Sequence, residues 1–184
     1  MFILASRSPQ RKKILEDLGV EFEVIPSSFD EASVEEKDPI KRARILAEGK
    51  ACVVSKDYPD RWVIGVDTLV VSEEGDLLEK PVDEDDARRM MRLHSGKTSQ
   101  IHTALCLKKG SETHTDVSTA GVTFRELSDA DIDGWISTGL WEDRSGAFQI
   151  EHIQQLIENI DGEMETIIGF PVELFKSVRN LIMR

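Results

Sequence analysis

The order of apolar and polar positions along the chain predicts strands that alternate with helices. Apolar runs or strict alternation predict strands over residues 2–5, 22–25 and 62–71, and a hairpin over 101–124. Apolar residues three and four positions apart predict helices over residues 9–18, 39–54, 83–94, 128–137 and 171–183. This order is typical of an α/β domain in which a mixed β-sheet is flanked by helices.

The ends of the first helix carry specific signals. Ser8 is a good N-cap, Pro9 suits the first helical position, and Gly19 is a natural terminator. Residues 62–71 form the most hydrophobic run and predict a central strand that is buried on both faces. Because no repeat, linker or low-complexity segment interrupts the pattern, we expect a single domain over residues 1–184.

Charge and composition exclude several classes of function. The chain has 23 Lys and Arg against 35 Asp and Glu, a net charge of −12 that would repel nucleic acid polymers. No apolar run approaches the roughly 20 residues that cross a bilayer, so we expect no membrane span. Residues 1–6 lack the cationic leader of a secretory signal, which favours a cytoplasmic location.

The cysteines and histidines show no spacing typical of a metal site. Cys52 and Cys106 lie in apolar stretches and are expected to be buried free thiols. The histidines have neither ligand spacing nor an adjacent nucleophile, and we interpret them as structural or surface residues: His94, His102, His114 and His152. A Walker-type phosphate loop and a dinucleotide fingerprint are both missing from the sequence.

Three cations stand in the first turns of the helix that Ser8 caps. Arg11, Lys12 and Lys13 oppose the helix dipole there, where acidic residues would be more stabilising. A phosphate bound over the turn at residues 6–10 would reverse that cost, because backbone donors and cations would then converge on one ligand. The alternative is a solvated basic patch.

Asp67 is the one charged residue of the buried strand predicted at 62–71. An ionised carboxylate in apolar surroundings costs several kcal/mol unless a cation or hydrogen-bond donors compensate it. A metal ion, a lysine or a role in proton transfer would account for its position. Alternatively, Asp67 caps a bulge or pairs with one structural lysine.

Two further lysines and an acidic pair could complete a site around Asp67. Together with Arg11, Lys50 and Lys80 would match a polyphosphate, whose spread charge needs more than one cation. Glu31, which follows Asp30, could share a divalent ion with Asp67. The alternatives are isolated surface lysines and a solvated acidic loop.

Six short segments of the chain resemble motifs of the Maf family in order and spacing. They are LASRSPQR at 4–11, VIGVDT at 63–68, EKP at 79–81, SG at 95–96, SGAF at 145–148 and IGFP at 168–171. The resemblance spans nearly the whole chain. It implies a mixed α/β fold related to the inosine triphosphate pyrophosphatases, with two lobes around a cleft, and often a homodimer. It also implies a nucleoside triphosphate pyrophosphatase of the house-cleaning type that uses a divalent metal cation, Mg or Mn.

The resemblance also implies roles for individual residues. Asp67 matches the proposed proton acceptor, and Glu31 matches an acidic residue that would hold the metal together with it. The cations that match phosphate-binding positions are Arg11, Lys50 and Lys80. Ser6 and Ser8 match the loop that lines the same site.

The positions that the family uses to choose a base give a mixed signal. In the subgroup that acts on dTTP and UTP, the positions of Gln10, Thr68 and Glu151 hold Arg, Thr and Gln, and only Thr68 agrees. In the 7-methyl-GTP subgroup they hold a bulky aromatic residue, Gln and Glu, and only Glu151 agrees. A carboxylate accepts hydrogen bonds and donates none, so Glu151 favours the N1–H and amino edge of guanine. The chain also has Arg144 where the family has Lys and His152 where it has Gly.

Three functions are compatible with these residues. The first is hydrolysis of nucleoside triphosphates, which the buried acid and the cation set favour. The second is a nucleotide-binding regulator of cell division or septum formation without essential catalysis, which would give the acid no evident use. The third is a phosphatase for small phosphates, which would need fewer cations than the chain offers.

Overall fold

The computed structural model describes residues 1–183. The helices are α1 (Pro9–Asp17), α2 (Pro39–Ser55), α3 (Glu84–His94), α4 (Asp129–Ile136), α5 (Met164–Ile168) and α6 (Val172–Ile182). The strands are β1 (Phe2–Leu4), β2 (Phe22–Val24), β3 (Val63–Val71), β4 (Leu77–Leu78), β5 (Thr98–Lys109), β6 (Glu112–Phe124) and β7 (Ile157–Asp161). Short 3-10 turns cover Glu31–Ser33, Ser145–Ala147, Ile150–His152 and Gln154–Leu156.

The strands form one mixed sheet of seven strands in the order β2-β1-β3-β5-β6-β7, with β4 paired to β3. Strand β1 runs parallel to both β2 and β3, with Ile3 opposite Val63 in the register with β3. Strand β3 is antiparallel to β4, and β6 is antiparallel to β7. The predicted α/β class with a mixed sheet and flanking helices is therefore confirmed.

Local signals placed most elements correctly. The Ser8 side chain caps α1 by accepting a hydrogen bond from the Arg11 N–H at 3.4 Å, and the Asp38 side chain caps α2 from the Lys41 N–H at 3.0 Å. Strands β4 and β7 and helix α5 were not predicted. These elements have two or five residues each, too few for a clear period, and β7 has exposed acidic positions.

The chain divides into two compact units. The first comprises Met1–Thr68, Thr103–Ser118 and the chain from Ile168 to the end of the described residues. Its core joins β1, α1, β3 and α6, and the rings of Phe2 and Phe170 pack edge-on against Phe175 at centroid distances of 5.9 and 5.3 Å.

The second unit comprises Leu69–His102 and Thr119–Ile167. At its centre the ring of His94 stacks on Phe124, and its two nitrogens bond to Ser99 Oγ at 2.7 Å and to the carbonyl oxygen of Gly146 at 2.8 Å. Burial lowers the pKa of His94 to about 4, so the ring is neutral near pH 7. His94 is a structural residue, as predicted.

Both cysteines are free thiols, but they differ in burial. The prediction of a buried thiol is confirmed for Cys106, whereas Cys52 is only half-buried. Burial raises the pKa of the Cys106 thiol to about 11, which keeps it protonated and unreactive. Among residues 1–183, none of the helices has the length and apolar character needed to cross a membrane.

Candidate active site

Asp67 lies in the middle of β3 with its side chain 7% exposed. Its Oδ1 accepts a hydrogen bond from Lys50 Nζ at 2.6 Å. Its Oδ2 is buried and has no hydrogen-bond partner among residues 1–183. A buried carboxylate oxygen without a partner is costly, so the position is not explained by stability alone.

Lys50 reaches Asp67 because α2 packs unusually close to β3. Gly65 faces the helix, and a Cβ atom built on it would lie 2.1 Å from the carbonyl oxygen of Ala47 and 2.9 Å from the Cβ of Ala51. Only a residue without a side chain permits this approach. The close packing leaves the Lys50 side chain 12% exposed, with its ammonium directed at Asp67.

Glu31 provides a second carboxylate at the same ammonium. Its Oε1 lies 3.1 Å from Lys50 Nζ, and its side chain is 56% exposed. The segment that carries Glu31 is held against α2 by Phe29, whose ring occupies the space beside Gly49. A Cβ atom on Gly49 would lie 2.4 Å from that ring. Lys50 therefore joins two acids that come from different segments.

Burial has the largest effect on the pKa of the Asp67 carboxyl group. Burial raises the pKa of Asp67, while the charge and hydrogen bond of Lys50 and the charge of Arg11 oppose that rise. The charge of Glu31 raises the pKa further. The net shift of the pKa is upward, which makes the Asp67 carboxylate a stronger base than a solvent-exposed aspartate.

Arg11 is held by four neutral oxygen atoms. Its Nε donates to the Gly169 carbonyl oxygen at 2.9 Å, and its Nη1 donates to the Val66 carbonyl oxygen at 2.9 Å and to Ser6 Oγ at 3.2 Å. Its Nη2 donates to Thr68 Oγ1 at 3.2 Å. Two of these acceptors belong to the residues on either side of Asp67, so the guanidinium holds that stretch of β3.

The positive charge of Arg11 interacts with the negative charges of two nearby carboxylates. Burial lowers the pKa of the guanidinium, and the charges of Asp67 and Glu31 oppose that effect. Arginine remains protonated throughout the physiological range. Arg11, Lys50, Asp67 and Glu31 thus form one cluster of two positive and two negative side chains within the first unit.

The loop before α1 is organised by its two serines. Ser6 Oγ accepts hydrogen bonds from the Ser8 N–H at 3.2 Å and from Arg11. Ser8 Oγ donates to Gln10 Oε1 at 3.3 Å. The Ser8 N–H is therefore not free for an anion, in contrast to the expectation that the amides of this turn are open. Because Ser6 Oγ already accepts two hydrogen bonds, its hydroxyl proton is what it can offer a ligand. Its bond from Arg11 links the loop to the cluster around Asp67.

A family model described as Maf-like protein matches residues 1–181. The chain belongs to the Maf family. The resemblance found in its motifs is thereby confirmed.

Three curated relatives of this Maf protein bear the name dTTP/UTP pyrophosphatase. The protein from Treponema denticola is 38% identical and the match covers 97% of this chain and 95% of the relative. Those from Deinococcus radiodurans and Aquifex aeolicus are each 39% identical, and their matches cover 94% and 97% of this chain and 88% and 94% of the relatives. A solved structure of the Staphylococcus aureus Ham1 protein matches 67% of this chain and 71% of its own with 13% identity and a TM-score of 0.45.

Only one of the three cations predicted at the start of α1 turns inwards. Lys12 and Lys13 are more than half exposed and pair along the helix with Glu16 at 3.6 Å and Asp17 at 3.0 Å. For these two lysines the exposure and the helix-surface pairs favour the alternative of a solvated basic patch. Pairs four residues apart on a helix surface are weakly stabilising and offset the unfavourable helix dipole.

The second unit holds the remaining predicted residues of this Maf protein. Lys80 is 63% exposed, and its Nζ lies 3.6 Å from Asp143 Oδ1. Glu151 and His152 are exposed on the 3-10 turn Ile150–His152. Their roles at the site stay predictions.

The acidic residues offer a partial set of metal ligands. Among residues 1–183, no group of three or more His, Cys, Asp and Glu side chains is arranged to hold a metal ion. Asp67 and Glu31 nevertheless converge on one ammonium, and one Asp67 oxygen lacks a partner. Two carboxylates fit Mg²⁺ or Mn²⁺, which take their other ligands from substrate phosphates and water.

The sequence interpretation missed the small residues that build this cluster. Gly65 and Gly49 allow α2 and Phe29 to approach, and Gly169, with φ of +114°, lies against Thr68 and Arg11. A glycine inside a strand or a helix is the signal that could have drawn attention to the first two. It marks a close approach of backbone but does not reveal which element approaches.

Proposed function

We propose that this Maf protein hydrolyses nucleoside triphosphates between the α- and β-phosphates, releasing a nucleoside monophosphate and pyrophosphate, with dTTP and UTP as its substrates. The observation that carries the proposal is the buried Asp67, paired with Lys50 and placed beside Arg11. The names of the relatives support both the reaction and the bases. We treat the whole chain as one catalytic domain that removes unwanted nucleotides from the cytoplasmic pool.

Asp67 acts as the general base in this proposal. A water molecule adds its oxygen to the α-phosphorus, the bond from that phosphorus to the bridging oxygen breaks, and pyrophosphate leaves. Asp67 accepts the proton that the water loses. Its raised pKa suits this role, because a base works best when its pKa approaches the working pH.

The cations bind the phosphate chain. Two of the three Lys50 protons point to Asp67 and Glu31, which leaves one for a phosphate oxygen. Arg11 contributes its charge and one remaining donor at Nη2. We assign a phosphate-binding role to the exposed Lys80 as well, from its EKP motif, and Ser6 and Ser8 line the loop before α1. Such cations stabilise the negative charge that develops on the departing pyrophosphate.

Asp67 and Glu31 would hold a divalent cation, Mg²⁺ or Mn²⁺. When bound, the ion supplies a Lewis acid that neutralises phosphate charge and lowers the pKa of bound water. We assign the partnerless Oδ2 of Asp67 to the ion, which leaves Oδ1 to accept the proton from water once Lys50 releases it. Lys50 Nζ contacts both acids, so loading of the site requires this lysine to give up at least part of its contact with them.

The choice of base is assigned to Gln10, Thr68 and Glu151. The relatives' names favour thymine and uracil, whereas the carboxylate of Glu151 favours guanine. We place the preference with dTTP and UTP because Thr68 agrees with that subgroup and contacts Arg11 of the buried cluster. Glu151 is exposed on the 3-10 turn Ile150–His152.

A substrate panel tests the proposal. Purified protein is incubated with Mg²⁺ or Mn²⁺ and dTTP, UTP, CTP, ITP, GTP or 7-methyl-GTP, and the products are separated by ion exchange. We expect dTMP and UMP with pyrophosphate as the main products. Release of inorganic phosphate as the first product would contradict the assigned bond, and preference for 7-methyl-GTP would favour the interpretation based on Glu151.

Replacing Lys50 with methionine is expected to move the acidic limb of the kcat/KM profile for UTP to higher pH. Lys50 lowers the pKa of Asp67 through its charge and hydrogen bond, and methionine removes both while keeping a similar length. More of Asp67 is then protonated at any given pH below neutrality, and a protonated carboxyl cannot accept the proton from water.

The profile is measured from acid to alkaline pH for the wild type, Lys50→Met and the control Lys56→Met. Lys56 is exposed at the end of α2, and its replacement should leave the limb in place. An acidic limb that stays at the wild-type pH in Lys50→Met would show that Asp67 is not the group that titrates.

A further inference from the structure

Thr103 lies in β5 with its side chain fully buried, next to the strand that carries the acid. Its Oγ1 donates a hydrogen bond to Thr68 Oγ1 at 3.1 Å. The acceptor, Thr68, is partly exposed, so a fully buried hydroxyl donates to a side chain that solvent or a ligand can reach. Nothing in the proposed mechanism uses Thr103.

Thr68 Oγ1 has a second donor in Arg11. Arg11 Nη2 lies 3.2 Å from Thr68 Oγ1, and a guanidinium can only donate. A hydroxyl group has two lone pairs and one proton. With both lone pairs accepting, the hydroxyl of Thr68 can engage a further partner only by donating its own proton.

The backbone holds Thr68 in place on a third side. Gly169 has φ of +114°, and a Cβ atom on it would lie 3.2 Å from Thr68 Oγ1. Arg11 is itself anchored to the Gly169 carbonyl oxygen at 2.9 Å. The hydroxyl of Thr68 is therefore fixed in position as well as in polarity.

We propose that Thr103 is a specificity-determining residue, which together with Arg11 fixes Thr68 as a hydrogen-bond donor to the base of the substrate. The inference rests on the proposed function. Uracil and thymine present a carbonyl oxygen at position 4, which accepts from such a donor. Cytosine presents an amino group there, which donates and is rejected because two donors would face each other. Thr103 acts through Thr68 and is a positioning residue that does not touch the substrate.

The test compares Thr103→Val, which keeps the shape and loses the hydroxyl, with Thr103→Ser, which keeps the hydroxyl. The ratio of kcat/KM for UTP to that for CTP is measured for each. In Thr103→Val the hydroxyl of Thr68 has a free lone pair and can accept from cytosine, so the ratio should fall by about tenfold. Thr103→Ser should restore the wild-type ratio.

A matched control lies elsewhere in the same sheet. Thr98 and Thr123 join their hydroxyl groups at 2.8 Å, in the second unit. Thr123→Val removes one hydroxyl from this pair in the same way and should leave the ratio of UTP to CTP unchanged. If Thr103→Val does not fold, Thr103→Cys provides a second variant of similar size with a weaker donor, and the ratio should again fall.

The outcomes separate the inference from the function that it deepens. An unchanged ratio in Thr103→Val, or an equal loss on UTP and CTP, would overturn the role of Thr103 while the enzyme remains a pyrophosphatase. Wild-type protein that releases no pyrophosphate from UTP or dTTP would overturn the proposed function and the inference with it.

Discussion

Replacement of Asp67 by asparagine is expected to lower kcat/KM for dTTP and UTP by about 10³-fold, within the range for loss of a general base. Asparagine keeps the shape of the side chain and can still accept a hydrogen bond from Lys50 through its amide oxygen. It cannot take a proton from water, and it removes the negative charge between two cations. Steady-state release of pyrophosphate measures the loss.

The control for Asp67→Asn is Asp60→Asn, which makes the same chemical change at an exposed position. It should retain wild-type activity. We expect Asp67→Asn to keep its fold, because Lys50 retains Glu31 as a partner. Circular dichroism and thermal melting check this expectation. A folded Asp67→Asn protein with near-wild-type activity would remove Asp67 from the chemistry and leave it as a structural partner of Lys50.

Replacement of Gly65 by alanine is expected to destabilise the protein by about 3 kcal/mol, at the upper end of the usual cost of overpacking. The added methyl group would lie 2.1 Å from the carbonyl oxygen of Ala47, which is backbone and cannot rotate away. Helix α2 must then move off β3 and carry Lys50 away from Asp67. For a chain of this size we expect the melting temperature to fall by about 10 °C.

Gly134→Ala is the matched control for Gly65→Ala. Gly134 lies in α4, and a Cβ atom on it would have no neighbouring atom within 4 Å. Alanine is favoured over glycine inside a helix by about 1 kcal/mol, so this variant should melt at a higher temperature than the wild type. If the two variants had equal stability, the close packing of α2 on β3 would not control this region.

Activity and stability should separate in the Gly65→Ala variant. Even at a temperature where the variant is fully folded, its kcat/KM should be reduced, because the distance from Lys50 Nζ to Asp67 Oδ1 depends on how closely α2 packs. The Gly134→Ala variant should have wild-type kcat/KM at the same temperature. Full activity in folded Gly65→Ala would show that the cluster tolerates movement of α2.

Lys50 offsets the negative charge of two acids before any ligand arrives. Without it, Asp67 would be buried without a cation in contact, and burial would favour its protonated form. With it, the charge and hydrogen bond of Lys50 favour the charged form, while one oxygen stays without a partner. The arrangement favours a ligand that brings positive charge to the acids and negative charge to the lysine, as a metal-bound triphosphate does.

Much of the fold follows from local physics that the sequence displays. The caps at Ser8, Asp38 and Ser128 satisfy the first N–H groups of helices from within three residues, so they are readable in the chain. The period of apolar residues separated strands from helices in the long elements. Short elements such as β4 escaped because their backbone hydrogen bonds depend on a neighbouring strand, here β3.

Asp67 could be selected from sequence because a charge inside an apolar run is itself an anomaly. The sequence also nominated its charged partners as candidates, but it could not show that they meet Asp67. Lys50 is 17 positions away on a helix whose distance from β3 is set by Gly65, and Arg11 is tied to Gly169 across 158 positions. The sequence by itself determined which residues are chemically unusual, since composition and period are local properties. Only the tertiary structure decided which of them meet, because contact depends on how closely small residues let distant segments of backbone approach.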